Sequence, residues 1–104
     1  MEDSFRGFVI EQLEPLSKIG ELKMRAMFGA HGLYLSGKFF GIIHGGRLYL
    51  KTDEKSREKY LEAGMKPFKP NKKQTLKNYY EVPADLLEDS EELSVWAGGS
   101  LDFE

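Results

Sequence analysis

The chain contains 104 residues, 40% of them hydrophobic and 31% charged, which is the composition of one ordinary globular domain. It has no cysteine, so disulfide bonds and thiolate chemistry are excluded and no oxidising compartment is needed. The N-terminal residues are acidic and mixed, unlike a secretory signal, and no apolar run approaches the roughly 20 residues of a membrane span. We therefore expect a cytoplasmic protein without a membrane segment.

The net charge of −2 hides a strong asymmetry along the chain. Residues 1–21 hold five acids and two bases, residues 22–80 hold thirteen bases and four acids, and residues 81–104 hold eight acids and no base. The near-neutral balance argues against a dedicated high-affinity nucleic-acid binder, for which a strongly basic domain is expected. The basic middle of the chain still allows a local cationic surface.

The first predicted element is an amphipathic helix that Pro15 and Gly20 should bring to an end. Its apolar residues recur at helical spacing: Phe5, Phe8, Val9, Leu13 and Leu16. Residues 21–28, with the sequence ELKMRAMF, then alternate apolar and polar side chains. This period of two predicts a half-buried strand.

Three further strands are predicted in the glycine-rich stretch that follows. They cover residues 33–36, 39–44 and 47–51, and Gly37-Lys38 and Gly45-Gly46 separate them. A Gly-Gly pair between apolar runs is typical of a two-residue hairpin turn, whose positive φ angles only glycine adopts at little cost. Phosphate-binding loops instead lead from a strand into a helix N-terminus. We therefore interpret these glycines as turns and not as a phosphate cradle.

Gly29 and Gly32 have the G-x-x-G spacing, which has two interpretations. In one nucleic-acid module this spacing clamps the backbone between two helices. Alternatively, the glycines lie in a loop or bulge between the first two strands, where a positive φ is needed. Because the neighbouring segments are predicted strands, we favour the loop or bulge.

A second helix is predicted over roughly residues 53–63, with Thr52 as its N-cap and Gly64 just after its end. Residues 66–77 contain five lysines and two prolines and predict a loop, because proline disfavours a helix.

A last strand is predicted over residues 76–82, followed by two short helices in the sequences PADLL and SEELSVWA. Residues 98–104 are expected to form a frayed tail. Because strands joined by tight turns pair antiparallel, the order predicts a single α+β domain over residues 1–104. It should have two layers, an antiparallel sheet and helices.

Catalytic and metal-binding chemistry is not expected. The chain has no nucleophile-elbow motif, and its two histidines, His31 and His44, lie on different predicted segments. A zinc site needs three or four converging ligands. We predict no catalytic residue, no metal and no cofactor, and we expect that the protein is not an enzyme.

Tyrosines and cations recur together in the predicted strands. The residues concerned are Tyr34, Tyr49, Tyr79, Tyr80, Arg25, Arg47, Lys51 and Lys77. Stacking aromatics beside cations on a sheet can hold single-stranded nucleic acid. Strands also favour tyrosine without any ligand, and we prefer that interpretation. The lysines of residues 66–77 could contact phosphates or an acidic partner, or could simply be solvated, and the sequence leaves these alternatives open.

Three segments together resemble the N-terminal domain of the TfoX/Sxy competence regulators. They are RAMFGAHGLYLSGKFFGIIHGGRLYLKTD, GMKPF and NYYEVPADLLEDSEELSVWA, and the resemblance runs from about Leu22 to Ala97. It implies a two-layer fold of the α-β-β-β-β-α-β-α kind. It also implies a regulator that acts on transcription through a protein partner, of the cyclic-AMP receptor protein type. Family members with both domains carry a second, helical domain after the segment that this chain resembles.

Two classes of function are therefore predicted. The first is a non-enzymatic regulatory interaction module, expected to form a homodimer and to bind DNA weakly and without sequence preference, if at all. The alternative is a small-ligand or weak nucleic-acid binding domain that uses the sheet face and residues 29–32. The candidate interaction surface comprises Arg25, Phe28, Gly29, His31, Gly32, Tyr34, Lys69, Lys72, Lys73 and Tyr79.

Overall fold

The computed structural model describes residues 2–27 and 29–100, except for the side chains of Glu2, Asp3 and Asn71. The helices are α1 (Glu2–Gln12), a 3₁₀ helix (Glu14–Lys18), α2 (Glu54–Glu62), α3 (Ala84–Leu87) and α4 (Ser90–Gly99). The strands are β1 (Leu22–Met27), β2 (Ala30–Leu35), β3 (Lys38–His44), β4 (Arg47–Lys51), β5 (Pro67–Asn71) and β6 (Gln74–Glu81). The predicted α+β class is confirmed.

All six strands form one antiparallel sheet in the order β1-β2-β3-β4-β6-β5. The first four strands form a meander, as predicted, and β6 returns beside β4 after the α2 crossover. The helices pack against one face of the sheet and form the main core with it. We call the other face the open face.

Tight turns with positive φ angles join the strands of the meander. Gly45 and Gly46 have φ angles of 58° and 73°, which confirms the predicted primed hairpin turn between β3 and β4. Between β2 and β3 the turn residues are Ser36 and Gly37, at 51° and 86°, and Lys38 already belongs to β3. The sequence placed this turn at Gly37-Lys38, which is one residue too far along the chain.

The predicted loop or bulge at Gly29 and Gly32 is only partly correct. Met27 pairs with Ala30, so the β1–β2 connection is a two-residue turn, in which Gly29 has a φ of 80°. Gly32 lies inside β2, paired with Arg25. The bulge occurs one strand further on, where Phe40 is the extra residue between the Tyr34–Phe39 and Leu33–Gly41 pairs.

Replacing Gly46 by valine is expected to destabilise the fold by about 1–2 kcal/mol, because a β-branched residue adopts a positive φ only under strain. A Cβ at this position meets no atom within 4 Å, so the cost comes from the backbone alone. Urea denaturation measures it, and Gly46→Asn is the matched control because asparagine tolerates this conformation. Equal midpoints for Gly46→Val and the parent chain would contradict the turn.

The prediction of a loop over residues 66–77 is wrong. This segment forms β5, a turn at Lys72-Lys73 and the start of β6. Pro67 and Pro70 are accommodated because β5 is an edge strand, where a missing backbone N–H costs no ladder hydrogen bond on the solvent side. The hairpin is irregular, with register shifts on both sides of Phe68.

The sequence predicted Thr52 as the N-cap of α2, but the N-cap is Asp53. Asp53 accepts a hydrogen bond from the Ser56 backbone N–H at 2.8 Å, and the Ser56 hydroxyl accepts one from the Asp53 N–H. The bond from the Ser56 N–H lowers the pKa of Asp53. Thr52 is buried instead, and its hydroxyl donates to the Asn78 carbonyl at 3.0 Å.

The C-terminal helix is longer than expected. The helix α4 runs to Gly99, and its N-cap Asp89 accepts a hydrogen bond from the Glu92 N–H. Ser100 is buried, and its hydroxyl donates to the Lys51 carbonyl at 2.7 Å. The end of α4 is thus held against the sheet at Ser100, and residues 101–104 of the expected frayed tail lie outside the described residues.

Two apolar clusters lie on opposite faces of the sheet. The main core joins Val9, Leu13, Leu16, Leu33, Leu35, Phe40, Ile43, Leu48, Leu50, Tyr60, Tyr80, Val82, Leu86, Leu93 and Ala97. The second cluster is buried at Ala30, Ile42, Tyr49 and Phe68, with Met27, Phe39, Leu76 and Tyr79 packed against it. Within the described residues, this second cluster consists of strand residues alone. The centre of the open face is therefore apolar, and no helix among the described residues covers it.

Candidate functional site: the open face of the sheet

Charge is segregated between the two layers of the fold. The six strands carry seven basic residues and one acid, namely Lys23, Arg25, Lys38, Arg47, Lys51, Lys69, Lys77 and Glu81. The helical segments hold ten acids and five bases within the same numbering. Arg47 forms a salt bridge with the acid on the strands, since its Nη1 lies 2.9 Å from a Glu81 carboxylate oxygen. The sheet layer is thus cationic and the helical layer acidic.

Three aromatic side chains cross one end of the open face, and we call them the aromatic row: Tyr34, Phe39 and Tyr79. The ring centroids of Tyr34 and Phe39 lie 5.2 Å apart, and those of Phe39 and Tyr79 lie 5.7 Å apart. All three side chains are half-buried. Burial raises the pKa of Tyr79, and the nearby Tyr34 raises it further.

Cations stand at one end of the aromatic row and within it. The Arg25 guanidinium carbon lies 5.9 Å from the Tyr34 ring centroid. Lys23 pairs with Tyr34 and Lys51 pairs with Tyr79 across the strands, and directly opposed residues share a face of the sheet. The row therefore has positive charge beyond Tyr34 on β1 and a further cation on β4, between the strands of Phe39 and Tyr79.

Gly32 gives the aromatic row its space. A Cβ on Gly32 would lie 2.9 Å from the Phe39 ring and 3.2 Å from the Tyr34 ring. A side chain at this position would force the rings to shift. Because Gly32 has none, the rings can lie over the backbone of β2. This role explains Gly32 better than the G-x-x-G spacing does.

At the other end of the open face lies a groove of about 380 Å³. We call it the groove, and its lining residues are Met27, Ala30, Ile42, His44, Phe68, Pro70, Gln74 and Leu76. Phe68 comes from β5 but lies 4.5 Å from the Tyr49 ring on β4 and 5.4 Å from the His44 ring on β3. The β5–β6 hairpin therefore bends over the open face, and both edge strands contribute to one groove.

The structure brings together only part of the predicted interaction surface. Arg25, Gly32, Tyr34 and Tyr79 converge at the aromatic row. His31 lies on the helix-covered face, opposite the core residue Ile43, and its Nδ1 is buried without a hydrogen-bond partner among the described residues.

The remaining predicted site residues lie elsewhere. Lys69 is on β5, and Lys72 and Lys73 form the turn of the β5–β6 hairpin, all three exposed. Gly29 is exposed in the β1–β2 turn. Phe28 lies outside the described residues.

Several residues of the open face were missed by sequence reasoning, above all Phe39, Ile42, Phe68 and Leu76. The signal was present in β3 and β4, whose sequences FFGIIH and RLYLK are apolar on both faces. A strand apolar on both faces is normally buried on both. Here helices cover one face of β3 and β4, so the apolar side chains on their other face belong to the open face.

Other kinds of site are weakly represented. Within residues 2–27 and 29–100 no three histidine, aspartate or glutamate side chains converge as metal ligands would. None of the helices in this part of the chain has the length and apolar character to cross a bilayer.

The geometry defines an α+β domain with one helical layer and one uncovered face. Comparison with known proteins places it more narrowly, because the family model of the TfoX N-terminal domain matches residues 13–104. The chain belongs to the TfoX N-terminal domain family, as its resemblance predicted.

A curated relative is the DNA transformation protein TfoX1 of Aliivibrio fischeri (strain ATCC 700601 / ES114), which is 32% identical over 96 residues. The match covers 84% of this chain and 43% of the relative. The chain thus spans less than half the length of that protein.

Proposed function

We propose that this chain is a non-enzymatic regulatory domain in DNA transformation that acts on transcription through a protein partner. Family membership and the name of the relative support the regulatory part of the proposal. One observation supports the protein partner. The second apolar cluster lies on the open face, and within the described chain it consists of strand residues alone. Apolar surface left uncovered in a soluble domain marks a protein interaction site.

The partner class that the resemblance implies is an activator of the cyclic-AMP receptor protein type. The groove fits a protein contact, because its floor is apolar and buried at Ala30, Ile42 and Phe68 while Met27 and Leu76 stand half-exposed at its walls. Such pockets hold the anchor side chains that dominate binding energy at interfaces. We therefore place the partner in the groove.

Replacing Met27 or Leu76 by lysine is expected to weaken binding of a purified activator of this type at least tenfold, because each change puts a charge into an apolar contact. Isothermal titration measures the dissociation constant. The matched control is Val95→Lys on α4, where the side chain is 62% exposed and lies in the helical layer. A parent chain that does not bind the activator, or a Val95→Lys chain that loses as much as the groove variants, contradicts the proposal.

A homodimer stays a prediction, and the sheet edges disfavour its simplest form. If two β1 strands paired symmetrically about residues 23–25, cations would stand opposite cations, since Lys23 and Arg25 share a face. The β5 edge contains Pro67 and Pro70, which have no N–H to donate. A dimer therefore has to use other surfaces, and light scattering at high micromolar concentration tests for it.

A further inference from the structure

We propose that the aromatic row and the cations that flank it bind single-stranded nucleic acid. This inference goes beyond a protein-partner role and concerns a different part of the open face. The row lies beside the Ser36–Gly37 turn, because Tyr34 and Phe39 pair next to it. The groove lies at the opposite ends of these strands, where Met27, Ala30 and His44 are.

The first argument is the spacing and exposure of the rings. Tyr34, Phe39 and Tyr79 come from three strands and follow one another at 5.2 Å and 5.7 Å between centroids. Each ring is only half-buried. Single-stranded nucleic acid is held in this way on antiparallel sheets, where two or three bases stack on neighbouring aromatic side chains.

The second argument is the charge around the rings. Lys23 and Arg25 stand two residues apart on β1, about 7 Å along the strand, and both are exposed on the face of Tyr34. Lys51 lies within the row, on β4 between the strands of Phe39 and Tyr79, and it pairs with Tyr79. The one acid on the strands, Glu81, is held by Arg47 and lies beyond Tyr49. A backbone of phosphates crossing the row would therefore meet two cations at its Tyr34 end and a third between Phe39 and Tyr79.

The third argument distinguishes a single strand from other anions. A duplex hides its base faces by stacking them on one another, so the rings would gain nothing from duplex DNA. An acidic peptide would satisfy the cations but would leave three adjacent rings without flat partners. Unpaired bases supply such a partner for each ring. The row and the cations together fit a single strand best.

The test is fluorescence anisotropy with a labelled deoxythymidine oligonucleotide of about 12 nucleotides, a site size typical of such surfaces. We expect tighter binding to the single strand than to a duplex of equal length. Three phosphate contacts predict a slope of about −2 in log K against log salt, measured between ~50 and ~200 mM. Phe39→Ala should weaken binding about 5- to 150-fold, the range measured for loss of one stacked base.

Matched variants separate stacking from charge and from folding. Tyr34→Ala should weaken binding while Tyr34→Phe should not, because phenylalanine keeps the ring. The double change Lys23→Glu and Arg25→Glu should abolish binding, while Lys18→Glu with Lys55→Glu, which removes equal charge from the helical layer, should leave it intact. The fluorescence of Trp96, which packs 4.7 Å from Tyr60 in the helical layer, reports folding independently of the open face.

Photocrosslinking with 5-iodouracil in the same oligonucleotide locates the contact. Crosslinks to Tyr34, Phe39 or Tyr79 support the proposal, and crosslinks confined to Lys69, Lys72 or Lys73 on the hairpin overturn it. Equal affinity for single strand, duplex and a glutamate peptide of the same charge would show a general anion surface and would also overturn it. Loss of activator binding in the groove variants, with nucleic-acid binding unchanged, keeps the two proposals distinguishable.

Discussion

Truncation of Tyr60 to alanine is expected to lower the free energy of unfolding by about 3–5 kcal/mol, the cost of removing a large aromatic side chain from a core. Tyr60 is only 1% exposed and joins the two layers of the fold from α2. Its ring lies 4.7 Å from Trp96 on α4 and 6.1 Å from Tyr80 on β6. Alanine would leave a cavity between these three elements.

Tyr60→Phe separates the ring from its hydroxyl. The hydroxyl oxygen is buried and has no hydrogen-bond partner among the described residues, so its removal leaves no other group unsatisfied. We expect the free energy of unfolding to stay equal or to rise by up to about 1 kcal/mol. Urea denaturation followed by far-ultraviolet circular dichroism measures both variants.

The adjacent residue provides the control for Tyr60. Leu61 is 55% exposed on the same helix, and Leu61→Ala should change the free energy of unfolding by less than about 0.5 kcal/mol. A loss in Tyr60→Ala no larger than that in Leu61→Ala would contradict the packing of α2 on the core. A clear loss in Tyr60→Phe would mean that a buried water binds the hydroxyl.

Stability is expected to fall steeply above about pH 10, where tyrosine titrates in the unfolded chain. Burial raises the pKa of Tyr60 far above that value in the folded protein, and burial also raises the pKa of Tyr49 and Tyr79. Above pH ~10 the unfolded chain therefore binds fewer protons than the folded chain, so the free energy of unfolding falls as pH rises. Tyr60 alone contributes about 1.4 kcal/mol per pH unit in this range.

The contribution of Tyr60 is full below about pH 10 and is lost progressively above it. Denaturant titrations at pH values on both sides of this point give the slope, and the Tyr60→Phe chain should show a shallower one because phenylalanine has no proton to lose. Parallel slopes in the two chains would mean that Tyr60 is not the group responsible.

The sequence was sufficient for the elements that local chemistry specifies. The Gly45-Gly46 turn and the half-buried strand β1 each depend on residues within a few positions, and the structure confirms them. The family resemblance, carried by consecutive residues of the meander, was confirmed in the same way. Such features need no knowledge of distant contacts.

The features that failed depend on contacts between distant segments. Pro67 and Pro70 argue for a loop when only local propensity is considered, yet they are compatible with a strand once β5 lies at the sheet edge. His31 was assigned to the interaction surface because its neighbours suggested a turn, whereas its place within β2 turns it towards Ile43 and the core face. Only the sheet register decides such a side chain's face.

The candidate site was half predicted for the same reason. The structure brings together Tyr34, Tyr79 and Arg25, which were named as site residues because strands with tyrosine and arginine are visible in the sequence. Phe39 and Phe68 were not, because phenylalanine in a strand is usually core, and no local signal shows that helices cover only one face. The sequence did not predict the groove, because the groove forms only when the β5–β6 hairpin bends over β3.

The separation of a cationic sheet from an acidic helical layer gives the molecule an electric dipole that its net charge of −2 does not reveal. A charged surface therefore meets an oriented molecule and not an average one. At neutral pH and low ionic strength, the chain should be retained by a cation exchanger although its isoelectric point of about 5.7 predicts that it passes through. An anion exchanger would hold the same chain by its opposite side, so a molecule bound to either resin would present a different face to solvent.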